Sequence, residues 1–162
     1  MDRAPHPIAE ADPRADGQAD PAATSDILTS VGTATYEWAI PSDRLSWSEN
    51  AGAVLGVDPR GLASGRAYAQ IMAPESPAGR FEAVVNSPHV DRGEGVAYCI
   101  EYAVRAEGGA VHWVEDSGRW FASSDGRPLR AHGAVRVITE SYEMRRRLIE
   151  ASEIDPRHVV QV

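Results

Sequence analysis

The chain has 162 residues, of which 24 are acidic and 16 are basic, and its formal net charge is −8. This length predicts a single domain, and an acidic chain without a basic patch is a poor binder of nucleic acid. The single cysteine, Cys99, excludes an intrachain disulfide, and no His/Cys spacing resembles a metal site. Without an apolar run near the ~20 residues that span a membrane, or an apolar signal peptide, we expect a cytoplasmic protein.

The N-terminal segment is acidic, rich in Ala and Pro, and free of helical or strand periodicity. Such a segment buries too little apolar surface to offset the entropy of ordering it. We therefore predict a disordered tail over residues 1–30 and one folded domain over residues 31–139. An exit helix at residues 140–155 and a flexible tail at residues 156–162 are predicted to follow.

Two short strands and several short helices are predicted in the first half of the domain. Apolar and polar side chains alternate over residues 35–40, and residues 45–47 read as the partner strand after a Pro-Ser-Asp turn. Ser48 is predicted to cap a helix that ends at Gly56, since glycine suits the left-handed position after a helix.

The second half predicts three consecutive strands joined by tight turns. The inward side chains of the first strand are predicted to be Tyr98, Ile100, Tyr102 and Val104. The Asp-Gly pair at residues 125–126 is a strong hairpin signal. On the third strand Val135 is expected to face the core, whereas Arg130, His132 and Arg136 are not. The order of two strands, several short helices and three strands predicts an α+β domain with a five-stranded antiparallel sheet and short helices on one face.

The second long strand holds two tryptophans, Trp113 and Trp120, which are seven positions apart. On a regular strand they would face opposite ways, so either a bulge intervenes or one of them is exposed.

On the same strand, Glu115 and Asp116 are adjacent and therefore point to opposite faces. They cannot act together on one substrate, and we expect no catalysis by this chain.

The order and spacing of these motifs resemble a PAS domain over roughly residues 33–142. The subclass is the one with Trp-Val-Glu-Asp in the second long strand. The matching residues are Tyr36-Glu37-Trp38, Asp43-Arg44-Leu45-Ser46-Trp47-Ser48, Val54-Leu55-Gly56, Trp113-Val114-Glu115-Asp116, Gly118-Arg119, Asp125-Gly126-Arg127-Pro128, Gly133, Val135-Arg136 and Ile138-Thr139-Glu140. Val137 stands where the family often has an Asp that ties the core to the exit helix, so we expect weaker coupling here.

The resemblance implies a sensory and dimerisation module of bacterial signal transduction. In the family, such domains precede histidine kinase, diguanylate cyclase or phosphodiesterase outputs. A homodimer and an output domain of this kind are therefore the expected partners, and cyclic-di-GMP signalling is one expected setting. The predicted signal-transmission residues are Ile138, Thr139 and Glu140. The helix that follows is marginal alone and needs docking or dimerisation.

Two other functions stay open: a carrier of a small molecule or cofactor, and a purely structural interaction domain with an empty core. The predicted ligand-binding residues are Trp38, Trp47, Ile71, Phe81, Tyr98, Ile100, Tyr102 and Val135. No cofactor is identified from the sequence. We expect neither haem nor flavin, because His89 lies in a polar loop and Cys99 lies in a strand instead of on a helix.

Overall fold

The computed structural model describes residues 20–153, in which short helices cover one face of an antiparallel sheet. The elements in chain order are α1 (Pro21–Ser30), β1 (Thr33–Ala39), β2 (Arg44–Trp47), α2 (Ala51–Leu55), a 3-10 helix (Pro59–Leu62), α3 (Gly65–Gln70), α4 (Arg80–Val84), β3 (Val96–Arg105), a second 3-10 helix (Glu107–Gly109), β4 (Val111–Ala122), β5 (Pro128–Val137) and α5 (Thr139–Glu153).

The sheet has five strands in the order β2-β1-β5-β4-β3, and each neighbouring pair is antiparallel. The predicted α+β class and five-stranded sheet are therefore confirmed. Among the described residues, no helix is long and apolar enough to cross a lipid bilayer.

The two faces of the sheet follow the predicted alternation, because directly paired residues share a face. On the inner face Tyr102, Val104 and Val135 are fully buried. Tyr98 and Ile100 lie on the same face but stay half-buried, since β3 is an edge strand. The three predicted outward residues are exposed on the opposite face: Arg130, His132 and Arg136.

The prediction of a disordered tail over residues 1–30 is wrong for its last third, which forms α1. Asp20 caps this helix by accepting a hydrogen bond from the Ala22 N–H at 3.1 Å, and Pro21 occupies a first-turn position where its missing N–H costs nothing. The helix packs against β1. Residues 1–19 and the predicted tail at 156–162 lie outside the described residues.

Ser48 does not cap α2 as predicted. Its hydroxyl accepts a hydrogen bond from the Thr35 N–H at 3.0 Å and donates one to Asn50 Oδ1 at 2.6 Å, so it ties the end of β2 to β1. The predicted helix end is confirmed, because Gly56 follows α2 with φ +67°.

Candidate functional site

A buried ion pair connects the helical layer to the centre of the sheet. Arg80 is the first residue of α4, and Asp116 lies in the middle of β4. The Arg80 Nε donates to Asp116 Oδ2 at 2.8 Å, and the two side chains are 5% and 0% exposed. Removing one partner of an ion pair this well enclosed strongly destabilises the folded protein, because the other charge is left buried without a counter-charge.

Tyrosine hydroxyls complete the hydrogen bonding of the Asp116 carboxylate. Tyr36 donates to Oδ1 at 2.6 Å, and Tyr102 donates to Oδ2 at 2.8 Å. Because those two hydroxyl protons are already used, Tyr68 donates to Tyr102 at 2.6 Å and Tyr98 donates to Tyr36. The result is a connected network of four tyrosines around the ion pair, which we call the tyrosine cluster.

Two glycines make room for this cluster on the inner face of the sheet. Gly118 and Gly133 pair directly across β4 and β5. A Cβ at Gly118 would lie 2.5 Å from the Tyr98 hydroxyl, and one at Gly133 would lie 2.8 Å from the Tyr36 hydroxyl. The glycine pair is therefore a part of the site and not merely a weak point of the sheet.

The electrostatics of the cluster favour protonated tyrosines and a charged ion pair. Burial raises the pKa of Tyr36, Tyr68 and Tyr102 well above the ordinary value, and it raises the pKa of Tyr98 to about 12. Burial works against the charge on Arg80, but the neighbouring carboxylate outweighs this effect and raises the pKa of the guanidinium. The hydroxyls therefore act as hydrogen-bond donors over the physiological pH range.

The Arg80 guanidinium lies against aromatic rings of the tyrosine cluster and against Trp47. Its central carbon lies 3.5 Å from the Tyr36 ring centroid, 4.9 Å from that of Tyr68 and 5.4 Å from that of Trp47, distances at which aromatic faces attract a cation. Its Nη2 is buried and has no hydrogen-bond partner among residues 20–153; the same holds for Trp120 Nε1.

A cavity of about 620 Å³ lies beside this cluster, between α3 and α4. Its walls are mostly apolar and include Trp38, Ile40, Met72, Phe81 and Val85. Its charged groups are Asp43, Arg66, Arg80 and Glu82. The volume is within the range of about 300–1,000 Å³ that small-molecule pockets occupy.

The structure divides the predicted ligand-binding residues among three environments. Trp38 and Phe81 line the cavity, and 54% of Phe81 is exposed. Three aromatic residues belong to the tyrosine cluster or pack against it: Trp47, Tyr98 and Tyr102. Of the aliphatic residues, Val135 is buried in the core, and Ile71 and Ile100 are partly buried and pack against it.

Sequence reasoning missed Arg80, Asp116, Tyr36 and Tyr68 as site residues. For Asp116 a signal was present, because it shares its strand face with Val114 and Trp120, both buried. The opposite orientation of Glu115 is confirmed, and that residue pairs with Arg136 at 3.3 Å on the outer face. Among the described residues, no group of three metal-ligating side chains is close enough to hold an ion.

The joint between the sheet and the exit helix lies on the outer face, near the start of β4. Trp113 stacks on Tyr142 of α5, with ring centroids 3.7 Å apart and an interplanar angle of 12°. Trp120 faces the core, and the register shift of β4 lies beyond it at residues 121–122. The two tryptophans thus face opposite ways without a bulge between them, but neither is exposed, because α5 covers the outer one.

Hydrogen bonds fix the first turn of α5 to β4. The Ile138 N–H donates to the Trp113 carbonyl at 2.7 Å, and the Trp113 N–H donates to Thr139 Oγ1 at 3.0 Å. Thr139 therefore binds the neighbouring strand and does not act as a helix cap. Glu140 is exposed in the first turn. One turn further, Arg145 forms a two-armed ion pair with Glu101 of β3, with both N–O distances at 3.1 Å.

The sequence comparison identifies the family. Residues 44–135, more than half of the chain, match the PAS fold family. The chain therefore belongs to the PAS fold family. A search of curated proteins finds no match to this chain.

Solved structures with a similar fold include several sensor domains. A sensory box histidine kinase/response regulator from Burkholderia thailandensis E264 is 19% identical, with a TM-score of 0.56, over 80% of this chain and 95% of that one. The N-terminal domain of a diguanylate cyclase with PAS/PAC sensor from Marinobacter aquaeolei is 19% identical, with a TM-score of 0.53, over 68% and 98%. A domain of a light and redox sensing histidine kinase from Haloarcula marismortui is 14% identical, with a TM-score of 0.51, over 73% and 99%.

Proposed function

We propose that this PAS domain is a sensory module that passes a change in its core to an output through α5. The observation that carries the proposal is the placement of Asp116 and Trp113 on one strand. Asp116 holds the buried cluster on the inner face, and Trp113, three residues earlier, holds the exit helix on the outer face.

Strand β4 can transmit such a change because Asp116 and Trp113 each make specific contacts, one with the buried cluster and the other with the exit helix. A change in the Arg80–Asp116 hydrogen bond alters the position of β4, and the stack of Trp113 on Tyr142 conveys that displacement to α5. A stimulus can act in this way only to the extent that it interacts differently with the two positions of the strand.

The output and the assembly are parts of the same proposal. One similar structure is named a histidine kinase and another a diguanylate cyclase, which supports an output domain of one of these classes. Cyclic-di-GMP signalling is one proposed setting, and the proposed location is the cytoplasm. Beyond the docked turns, α5 leaves Met144, Leu148 and Ile149 more than half exposed. We propose that these side chains pack against a second copy in a homodimer, and that the chain itself is regulatory and not catalytic.

The test joins the chain to a histidine kinase output and measures autophosphorylation. Asp116→Asn keeps the shape of the side chain and removes its charge, so we expect a changed output. In the Tyr142→Ala background the same substitution should have no further effect, because the joint is already broken. Glu143→Ala, a change at an exposed position of the same helix outside the proposed dimer contact, is the matched control and should preserve the response.

Coupling between these sites is read as the failure of the two substitutions to add. An equal response to Asp116→Asn with and without Tyr142 would remove β4 and α5 as the transmission path. Circular dichroism on each variant separates a lost signal from a lost fold.

A further inference from the structure

None of the residues that line the α3–α4 cavity accepts a hydrogen bond from the Nη2 of Arg80. Both carboxylates of the cavity already accept hydrogen bonds: Asp43 from the Trp38 indole N–H and the Arg66 N–H, each at 2.9 Å, and Glu82 from the Asn86 side chain at 2.7 Å. In contrast, the Arg80 guanidinium has a donor, Nη2, that no acceptor among the described residues meets.

This unsatisfied donor is costly where it stands. Arg80 is 5% exposed, so its guanidinium is largely removed from bulk water. A buried donor without an acceptor carries a desolvation penalty that an incoming acceptor can relieve. Arginine presents its donors in a planar fork that matches a carboxylate.

We propose that the cavity binds a small carboxylic acid with an aromatic or branched aliphatic body, and that Arg80 binds the ligand's carboxylate. The apolar walls, with Trp38 and Phe81 among them, receive the body of the molecule. This inference rests on the proposed sensory function, for which it names the class of stimulus.

Binding of this kind explains how the stimulus reaches the sheet. Because Nη2 is enclosed, the guanidinium has to turn towards the cavity to meet the ligand. That movement lengthens its 2.8 Å hydrogen bond to Asp116, and Asp116 keeps its bonds to Tyr36 and Tyr102. The ligand carboxylate thus competes with a strand residue for one arginine.

The experiment uses the full chain with phenylacetate and indole-3-acetate as probes, and isothermal titration calorimetry as the measurement. Phenylacetamide and indole-3-acetamide have nearly the same shape but no charge. Because arginine can bind a carboxylate through two charge-assisted hydrogen bonds, which a neutral amide cannot match, we expect the acids to bind at least about tenfold more tightly than the amides.

Two variants on α3 locate the binding without disturbing the buried ion pair. Ala69 is exposed and lines the cavity, whereas its neighbour Gln70 is exposed and does not. Ala69→Trp should fill the cavity and abolish binding of both acids, and Gln70→Trp should leave it unchanged. Thermal unfolding of both variants shows whether they are folded.

The outcomes separate this inference from the proposed function. Equal binding of acids and amides, equal loss in both tryptophan variants, or no binding of either acid at millimolar concentration overturns the ligand class. If Asp116→Asn still alters the fused kinase in that case, the sensory function stands. If the acids bind at the cavity and the kinase output does not change, the ligand class stands and the sensory function fails.

Discussion

The two faces of the sheet hold their charges in opposite ways. On the inner face Arg80 and Asp116 are enclosed and bonded to tyrosines. On the outer face Glu101–Arg145 and Glu115–Arg136 are partly solvated, with arginine exposures of 52% and 55%. Water screens only the outer pairs, of which Glu115–Arg136 joins two strands and Glu101–Arg145 joins β3 to α5. The inner pair is therefore the costlier one to break.

Removing one charge from each face of β4 makes the sharpest contrast. Asp116→Ala leaves the Arg80 guanidinium buried without a counter-charge, and we expect a loss of about 3–5 kcal/mol in the free energy of unfolding. Glu115→Ala, the adjacent residue on the outer face, should cost at most about 1 kcal/mol. Urea unfolding followed by tryptophan fluorescence measures both. Equal losses would contradict the division between the two faces.

The glycine pair tests whether the space for the tyrosine cluster is required. Gly133→Ala places a Cβ against the Ser117 carbonyl oxygen, the Gly118 Cα and the Tyr36 hydroxyl, and overpacking of this kind costs about 1–3 kcal/mol. Gly61→Ala, where a Cβ meets nothing within 4 Å, should change stability by less than about 0.5 kcal/mol. If Gly133→Ala were as harmless as this control, the cluster would tolerate rearrangement.

Alkaline pH tests the protonation of the inner cluster. Burial, followed by the Asp116 charge, raises the pKa of Tyr98 to about 12, against about 10 in an unfolded chain. The folded state holds the proton more tightly, so this stabilisation is complete below about pH 10 and is lost as the pH rises towards about 12. Tyr98→Phe should flatten the decline of unfolding free energy in that window. A decline as steep as in the wild type would show that Tyr98 is not involved.

The outer joint should give the smallest change in global stability. Tyr142→Ala removes the stack on Trp113, a contact worth about 1 kcal/mol beyond its buried area. We expect a small loss in urea unfolding together with faster amide exchange in α5. Arg145→Ala should loosen the same helix by a smaller amount, and this effect should fade at high salt. Protection of α5 unchanged by either substitution would mean that other contacts dock the helix.

Local sequence patterns were sufficient to predict the fold, but they predicted only part of the candidate site. Period-2 alternation in β3 placed Tyr102 and Val104 on the inner face, and the Asp-Gly turn fixed the β4–β5 hairpin. The Arg80–Asp116 pair could not be predicted in this way, since its members are 36 positions apart and a charged residue is rarely buried. The pairing exists only because α4 packs over the sheet.

The docking of the exit helix also could not be predicted in full from local sequence patterns. The sequence indicated that the helix needs a docking surface. Regular alternation put Trp113 and Trp120 on opposite faces, but neither the bulge nor the exposed tryptophan that we expected from this occurs. That Tyr142 covers Trp113 follows from the direction in which α5 leaves β5, and no local pattern encodes that direction. The helix α1 was missed because the composition of its whole segment masked the capping signal at Asp20 and Pro21.

The most direct test of the account is amide hydrogen exchange of α5 in Asp116→Asn compared with the wild type. The Tyr142 N–H, bonded to the Ile138 carbonyl at 2.8 Å, reports on the first turn of the helix, and α1 serves as the reference for any general loss of stability. If β4 couples the buried cluster to the exit helix, exchange in the first turns of α5 accelerates more than exchange in α1. Equal acceleration in both helices, or none in α5, would contradict the account.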